Sequence, residues 1–235
     1  MPSQIEKLEA HASHLLDAFI GLREKYCMLE PMLFDPDTNK IRGSREQARG
    51  FQILRSSLFL SCAQDIAKLT LDADSRTPSI RNLVSALDDQ ALREELEERY
   101  AIWVIPSVED EIDPDILAAL RRMEERERIE KRAQFREHLT ELRKCWGTLS
   151  TATSMTGFLT VRDKVSAHTE VRFVVDKYQL VDIGTLGIKW RDLRTSIEAM
   201  QRLVELIGLI VRNAGFAWDL LDLQLSTASK NFWRV

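Results

Sequence analysis

Apolar residues recur at three- and four-residue steps along most of this chain, the spacing that puts them on one face of a helix. Over residues 3–29 the series is Ile5, Leu8, His11/Ala12, Leu15, Ala18/Phe19 and Leu22, and it predicts a first helix. Pro31 and the turn-rich residues 35–39 are expected to stop it. Ser44 followed three residues later by Gln47 reads as a capping box opening a second helix to about Leu71. Its apolar positions are Ile53, Leu54, Leu58, Leu60, Ile66 and Leu69. Residues 72–77 form a loop, and Thr77-Pro78 places a capping residue before a proline at the first helical position of a third helix ending near Leu87. A further short helix is expected near residues 91–100.

The pattern then changes character. Residues 88–115 hold eleven acids against two arginines, together with Pro106 and Pro114, and read as a solvated acidic connection. Within it, Trp103-Val104-Ile105 is expected to fold back onto the core. Asp113-Pro114 starts a long helix whose residues 121–131 are charged on every face and so project into solvent. Phe135, Leu139, Leu142, Trp146 and Leu149 restore a stripe, with Gly147 a candidate kink before a helix that runs into Arg162. The β-branched run at residues 171–175 suits a short extended piece, and Gly184 and Gly187 mark a loop. Trp190, Leu193, Ile197, Met200, Leu203/Val204, Ile207 and Ile210/Val211 give the cleanest helical stripe, with Gly215 its candidate end. The tail to Val235 reads as helical. No internal repeat or low-complexity tract is present. The expectation is an all-α protein: a single antiparallel helical bundle over residues 1–235, with an acidic connection and a long, partly projecting charged helix inserted at about 88–134.

Composition narrows the function. With 44% hydrophobic and 30% charged residues, the chain reads as a soluble globular protein. A formal charge of −4 speaks against indiscriminate coating of nucleic acid, so any such contact must be a local patch. Cys27, Cys62 and Cys145 are scattered and odd in number, as expected of reduced thiols in the cytoplasm. The N-terminus lacks the basic-then-apolar order of a signal peptide. The most apolar run, residues 203–211, is interrupted by Glu205 and is far too short to span a bilayer, so no membrane partner is expected.

The residues that point to chemistry lie at 161–168, Val-Arg-Asp-Lys-Val-Ser-Ala-His. Histidine is the side chain that moves a proton near neutral pH, and arginine is a permanent cation whose fork of donors matches phosphate. The spacing alone decides little, because Arg132 and His138 repeat it inside residues 121–144, where nine cations alternate with six acids. A surface ion-pair network explains that second pair. Arg162 instead follows the nearly uncharged residues 146–161, with Asp163 beside it and the small Ser166-Ala167 before His168. Residues six apart on a regular helix differ by about 120° and roughly 9 Å. They converge only if the helix is broken or a second protomer supplies the other group across a two-fold axis.

On these residues the chain resembles the HEPN superfamily, helical bundles with an Arg-polar-x(3–5)-His motif near the start or end of a late core helix. Arg162-Asp163-Lys164-x-x-Ala167-His168 is more narrowly similar to the AbiU-like abortive-infection branch. That branch implies an earlier loop like residues 72–80, Asp-Ala-Asp-Ser-Arg-Thr-Pro-Ser-Ile. The resemblance implies a metal-independent endoribonuclease, a toxin or anti-phage effector, active as a homodimer with a composite site on RNA. An antitoxin or nucleotidyltransferase partner would also be in keeping with it. Arg162 and His168 would be catalytic, with Asp163, Lys164 and Ser166 supporting, and no metal or cofactor. The same resemblance admits a non-catalytic nucleotide-binding or regulatory module. From the residues alone, Arg162 and Asp163 pairing with neighbouring helices and His168 capping a helix end remains the alternative. A third class is an interaction protein that recruits a partner through its charged helix.

Other constellations are weaker. His11 and His14 share a helix face, but no third ligand lies near them. There is no Gly-rich phosphate loop, nucleophile elbow or Cys-x-x-Cys pair. Trp103, Trp146, Trp190, Trp218 and Trp233 sit at plausible core or interface positions.

Overall fold

In the computed structural model, residues 3–40, 43–102, 113–166, 171–174, 177–180 and 186–233 are described. Helix α1 (Gln4–Phe34) opens on a capping box: the Glu6 amide donates to Ser3 Oγ at 3.1 Å, and the Ser3 amide to Glu6 Oε2 at 2.7 Å. Its buried residues keep the helical stripe from Ile5 to Leu22 and extend it through Tyr26, Leu29 and Met32. Pro31 does not stop this helix, contrary to the sequence expectation. A proline inside a helix leaves the carbonyl four residues earlier without a donor. Here that carbonyl, on Cys27, accepts from Ser229 Oγ at 2.7 Å. The helix therefore continues to Phe34, and a short α2 (Pro36–Lys40) follows.

Helix α3 (Arg45–Leu71) starts where expected, the Ser44 amide donating to Gln47 Oε1 at 2.8 Å. Its buried residues lie from Phe59 onward, so its first half is mostly exposed. Helix α4 (Ile80–Ala86) is capped by Ser79, whose hydroxyl accepts from the Asn82 amide at 3.2 Å and donates to the Asp72 carbonyl at 2.7 Å. Pro78 thus precedes the cap rather than following it, because Ser79 has a loop carbonyl to hold it in place and Thr77 does not act as a cap.

Helix α5 (Gln90–Ala101) lies where the short helix near residues 91–100 is expected, but its packing corrects the reading of residues 88–102 as solvated. Leu92, Leu96, Tyr100 and Ala101 are buried, while the acids face the arginines of α6 (Pro114–Ser150). Glu98 pairs with Arg132 at 2.9 Å, Glu97 with Arg136 at 2.7 Å and Asp88 with Arg143 at 3.2 Å. Tyr100 meets Phe135 edge-on at 5.7 Å. The acids are therefore one side of an interhelical zipper. Trp103-Val104-Ile105 lies outside the described residues. No residue from 114 to 134 is buried, contact with α5 begins at Lys131 and Arg132, and burial begins at Phe135. Gly147 lies within α6, which ends three residues later at Ser150.

Helices α7 (Thr153–Thr160), α8 (Trp190–Arg212) and α9 (Trp218–Trp233) complete the bundle. Helix α8 is central, packing against α1, α3, α4, α5 and α6 through Leu193, Ile197, Met200, Leu203, Ile207 and Ile210. It ends at Asn213 in the left-handed conformation (φ 49°, ψ 39°), two residues before Gly215, since asparagine tolerates that region. Strands β1 (Val171–Val174) and β2 (Lys177–Leu180) form an antiparallel hairpin, Val171 opposite Leu180 and Val174 opposite Lys177. The protein is an all-α helical bundle with this one small hairpin among the described residues. No described helix is long and apolar enough to cross a membrane.

Candidate active site

Helix α7 is anchored along its inner face. Met155, Gly157 and Phe158 are buried, and a Cβ on Gly157 would stand 2.6 Å from Ile188 Cγ1. That contact fixes α7 against the segment leading into α8. The Thr160 hydroxyl donates back to the Thr156 carbonyl at 2.9 Å, a contact that bends helices. At Val161, which is fully buried, the backbone amide is shared between the carbonyls of Gly157 and Phe158.

From there the chain forms a π-helical turn, Val161–Ser166, packed against α3 and α7. Such turns carry an extra residue relative to the α-helix and are frequent at functional sites. Four of the five residues singled out from sequence, Arg162, Asp163, Lys164 and Ser166, fall in this turn. Arg162 is partly exposed, 27% of its side chain, and its Nε donates to Asp163 Oδ1 at 2.6 Å. A carboxylate on Nε leaves the outer edge of the guanidinium to an incoming anion, in the manner of bidentate phosphate recognition. His168 lies outside the described residues. The regular helix that would have separated Arg162 from His168 by about 120° ends at Thr160 instead.

The comparison pair behaves as a structural network. Arg132 is held by Glu98, and the His138 ring meets Tyr100 edge-on at 6.3 Å. His11 and His14 sit along α1. The pKa of His11 is lowered by burial, then by Lys7 and His14, while His14 Nδ1 approaches Asp17 at 4.0 Å. Among the described residues no group of three or more His, Cys, Asp or Glu side chains is arranged to hold a metal. The loop at residues 72–79 is self-contained: Asp74 accepts from the Arg76 amide and guanidinium, which holds its carboxyl well below the usual range, and Asn82 donates to the Asp74 and Thr77 carbonyls.

A cleft of about 550 Å³ opens between α1, α8 and α9. Its cations, Arg23, Arg194 and Lys230, are matched by Glu30, Glu198 and Asp222, so its charge does not select an anion. Tyr26 within it is pushed up to about 12 by burial, which keeps its phenol protonated.

Sequence reasoning missed the surroundings of Trp190, the first residue of α8 and 43% exposed. Its ring stands on Phe59 of α3 (4.9 Å, 89°), with the Arg55 guanidinium 5.8 Å from its centroid. The signal was present locally, in Lys189-Trp190-Arg191, but the partner residues are 131 and 135 positions away along the chain.

A family model described as HEPN_AbiU2, AbiU2, matches residues 5–232, almost the whole chain. No curated protein and no solved structure matches it.

Proposed function

Because this chain belongs to the AbiU2 family of HEPN domains, we propose that it is a metal-independent endoribonuclease acting in abortive infection, as a toxin directed at RNA. The observation that carries this reading is the break of α7 into a π turn at the Arg-Asp motif. It presents a partly exposed arginine, oriented by its neighbouring carboxylate. Arg162 stabilises the added negative charge on a phosphorane-like transition state. His168 takes the proton from the ribose 2′-OH or gives one to the leaving 5′-oxygen. The partner protomer's copy of that histidine supplies the complementary step in a homodimer. Asp163 holds the guanidinium, and Lys164 and Ser166 serve neighbouring phosphate oxygens. The 2′-oxygen attacks phosphorus as the 5′-oxygen leaves, so the products are a 2′,3′-cyclic phosphate and a 5′-hydroxyl. An antitoxin or a nucleotidyltransferase is the partner class that would restrain such an activity in the cytoplasm.

The test uses the full chain and its His168→Ala variant with total RNA in EDTA, followed by mapping of the new ends. Cleavage by the unmodified chain alone, leaving cyclic phosphates, is the expected result. Cleavage that needs a divalent metal, that persists in the variant, or that is absent from both overturns the reading.

A further inference from the structure

Six side chains from four helices, four rings and two guanidinium groups, form a strip. Trp233 of α9 meets Phe51 of α3 with centroids 6.1 Å apart. Arg55, one helical turn after Phe51, lies over the ring of Trp190. Arg194, one turn after Trp190 on α8, lies 4.1 Å from the centroid of Phe34 at the end of α1. Residues four apart on a helix are surface neighbours, so the two one-turn steps join the three contacts into a single track.

The track is open to solvent and locally basic. Trp190 is 43% and Phe34 39% exposed. Over residues 45–58 of α3, Arg45, Arg49 and Arg55 face a single acid, Glu46. Arg55 has no carboxylate partner among the described residues, while Arg194 is partly offset by Glu30 at 2.7 Å. This local surplus stands on a chain of net charge −4.

The track is linked to the candidate site through α7: Ile188, two residues before Trp190, presses against Gly157, which lies on the helix that runs into the Arg162 turn.

We propose that this arginine–aromatic track cradles single-stranded RNA, Trp190 stacking a base and Arg55 holding a phosphate beside the site. The inference rests on the ribonuclease reading and names the substrate's form. Aromatic faces bind bases only when these are unstacked, which an A-form duplex does not allow, and stacking platforms flanked by arginines are how single strands are held. Trp190 and Arg55 are positioning residues: they place the strand and leave the reacting atoms to Arg162 and His168.

Binding is measured by fluorescence anisotropy of a labelled single-stranded 2′-O-methyl RNA of about twelve nucleotides, which lacks the 2′-hydroxyl nucleophile and so reports binding without cleavage. The expected result is binding weakened about tenfold by Trp190→Ala, restored by Trp190→Phe. Arg55→Ala lowers the salt slope by about 0.7. Equal binding by Trp190→Ala and the unmodified chain overturns the proposal, as does equal affinity for the matching duplex. Absence of RNA binding together with a solution mass that Trp190→Ala reduces would make the track an interface between copies, and overturns it too. Failure of the nuclease reading is distinct: natural RNA then survives intact while the 2′-O-methyl strand still binds. Circular dichroism of each variant confirms that the fold is retained.

Discussion

Ser229 supplies the donor that Pro31 lacks. The hydroxyl on α9 reaches the Cys27 carbonyl at 2.7 Å, and Trp233 Nε1 reaches the next carbonyl, that of Met28, at 3.2 Å. The last turn of α1 is thus completed by a helix almost two hundred residues away in sequence. Ser229→Ala should lower stability by about 1–2 kcal/mol, the cost of a buried acceptor left unpaired. In a Pro31→Ala background the amide of residue 31 can bond Cys27 itself, and the same serine substitution should cost less than half as much. Urea denaturation of the four proteins measures this coupling. Purely additive effects would mean that the serine is not compensating for the proline.

Gly157→Ala sets two effects against each other. Alanine gains up to about 1 kcal/mol in helix propensity. Its Cβ, however, would stand 2.6 Å from Ile188 Cγ1 and 3.4 Å from the Leu186 carbonyl oxygen, and overpacking of this kind costs about 1–3 kcal/mol. A net loss of about 1 kcal/mol is expected. A urea midpoint that is unchanged or raised would show that the segment before α8 yields freely.

Arg162 and Arg132 have the same spacing to a histidine and different surroundings. Arg162→Ala should reduce RNA cleavage at least about a hundredfold, the scale of losing a transition-state donor. The double substitution Arg132→Ala, His138→Ala should leave cleavage within about twofold, because Arg132 only pairs with Glu98 across α5 and α6. Single-turnover rates on one RNA compare the two directly, and equal losses would count against the assigned site.

Acid should weaken the fold in two stages. His11 has its pKa lowered, chiefly by burial, so the unfolded chain takes up its proton first and stability falls as pH drops through about 6.5. Asp35, Asp74 and Glu141 are also lowered, by the Thr38 hydroxyl, the Arg76 guanidinium and the Arg202 guanidinium respectively. Their contributions are present above the unfolded value near 4 and lost as pH falls below it. Thermal melts from pH 8 to 3 should therefore be level above 7, dip shallowly, then drop. Replacing His11 with Gln should remove the shallow step, and its persistence would point to another group.

Cys62 is fully buried, and burial, followed by Asp65, pushes its thiol up to about 12. A disulfide reagent at pH 8 should label it on the order of a thousandfold more slowly in the native protein than in denaturant. Labelling at comparable rates would mean that the α1–α3 interface opens readily.

The bundle was legible where one face of a helix is buried along its whole length. The stripes of α1 and α8 and the Ser44–Gln47 start of α3 follow from local spacing, which the core simply accepts. What misled were segments whose environment is supplied from elsewhere in the chain. Pro31 reads as a stop because Ser229 is invisible to a local window. Residues 88–101 read as solvated because their acids are counted before the α6 arginines that meet them are known. The site divides in the same way. Arg162 and Asp163 are adjacent and form a pair that could be read directly, whereas Arg55 and Trp190 come together only through the packing of α3 on α8.

The unburied first part of α6 has a hydrodynamic consequence. Residues 114–130 extend roughly 25 Å as a single helix. An arm of that length raises frictional drag out of proportion to the mass it adds. One protomer will therefore migrate through a sizing column as a heavier particle, in the direction a dimer would. Light scattering or sedimentation equilibrium, which weigh the particle rather than time its passage, are the measurements that distinguish one copy from two.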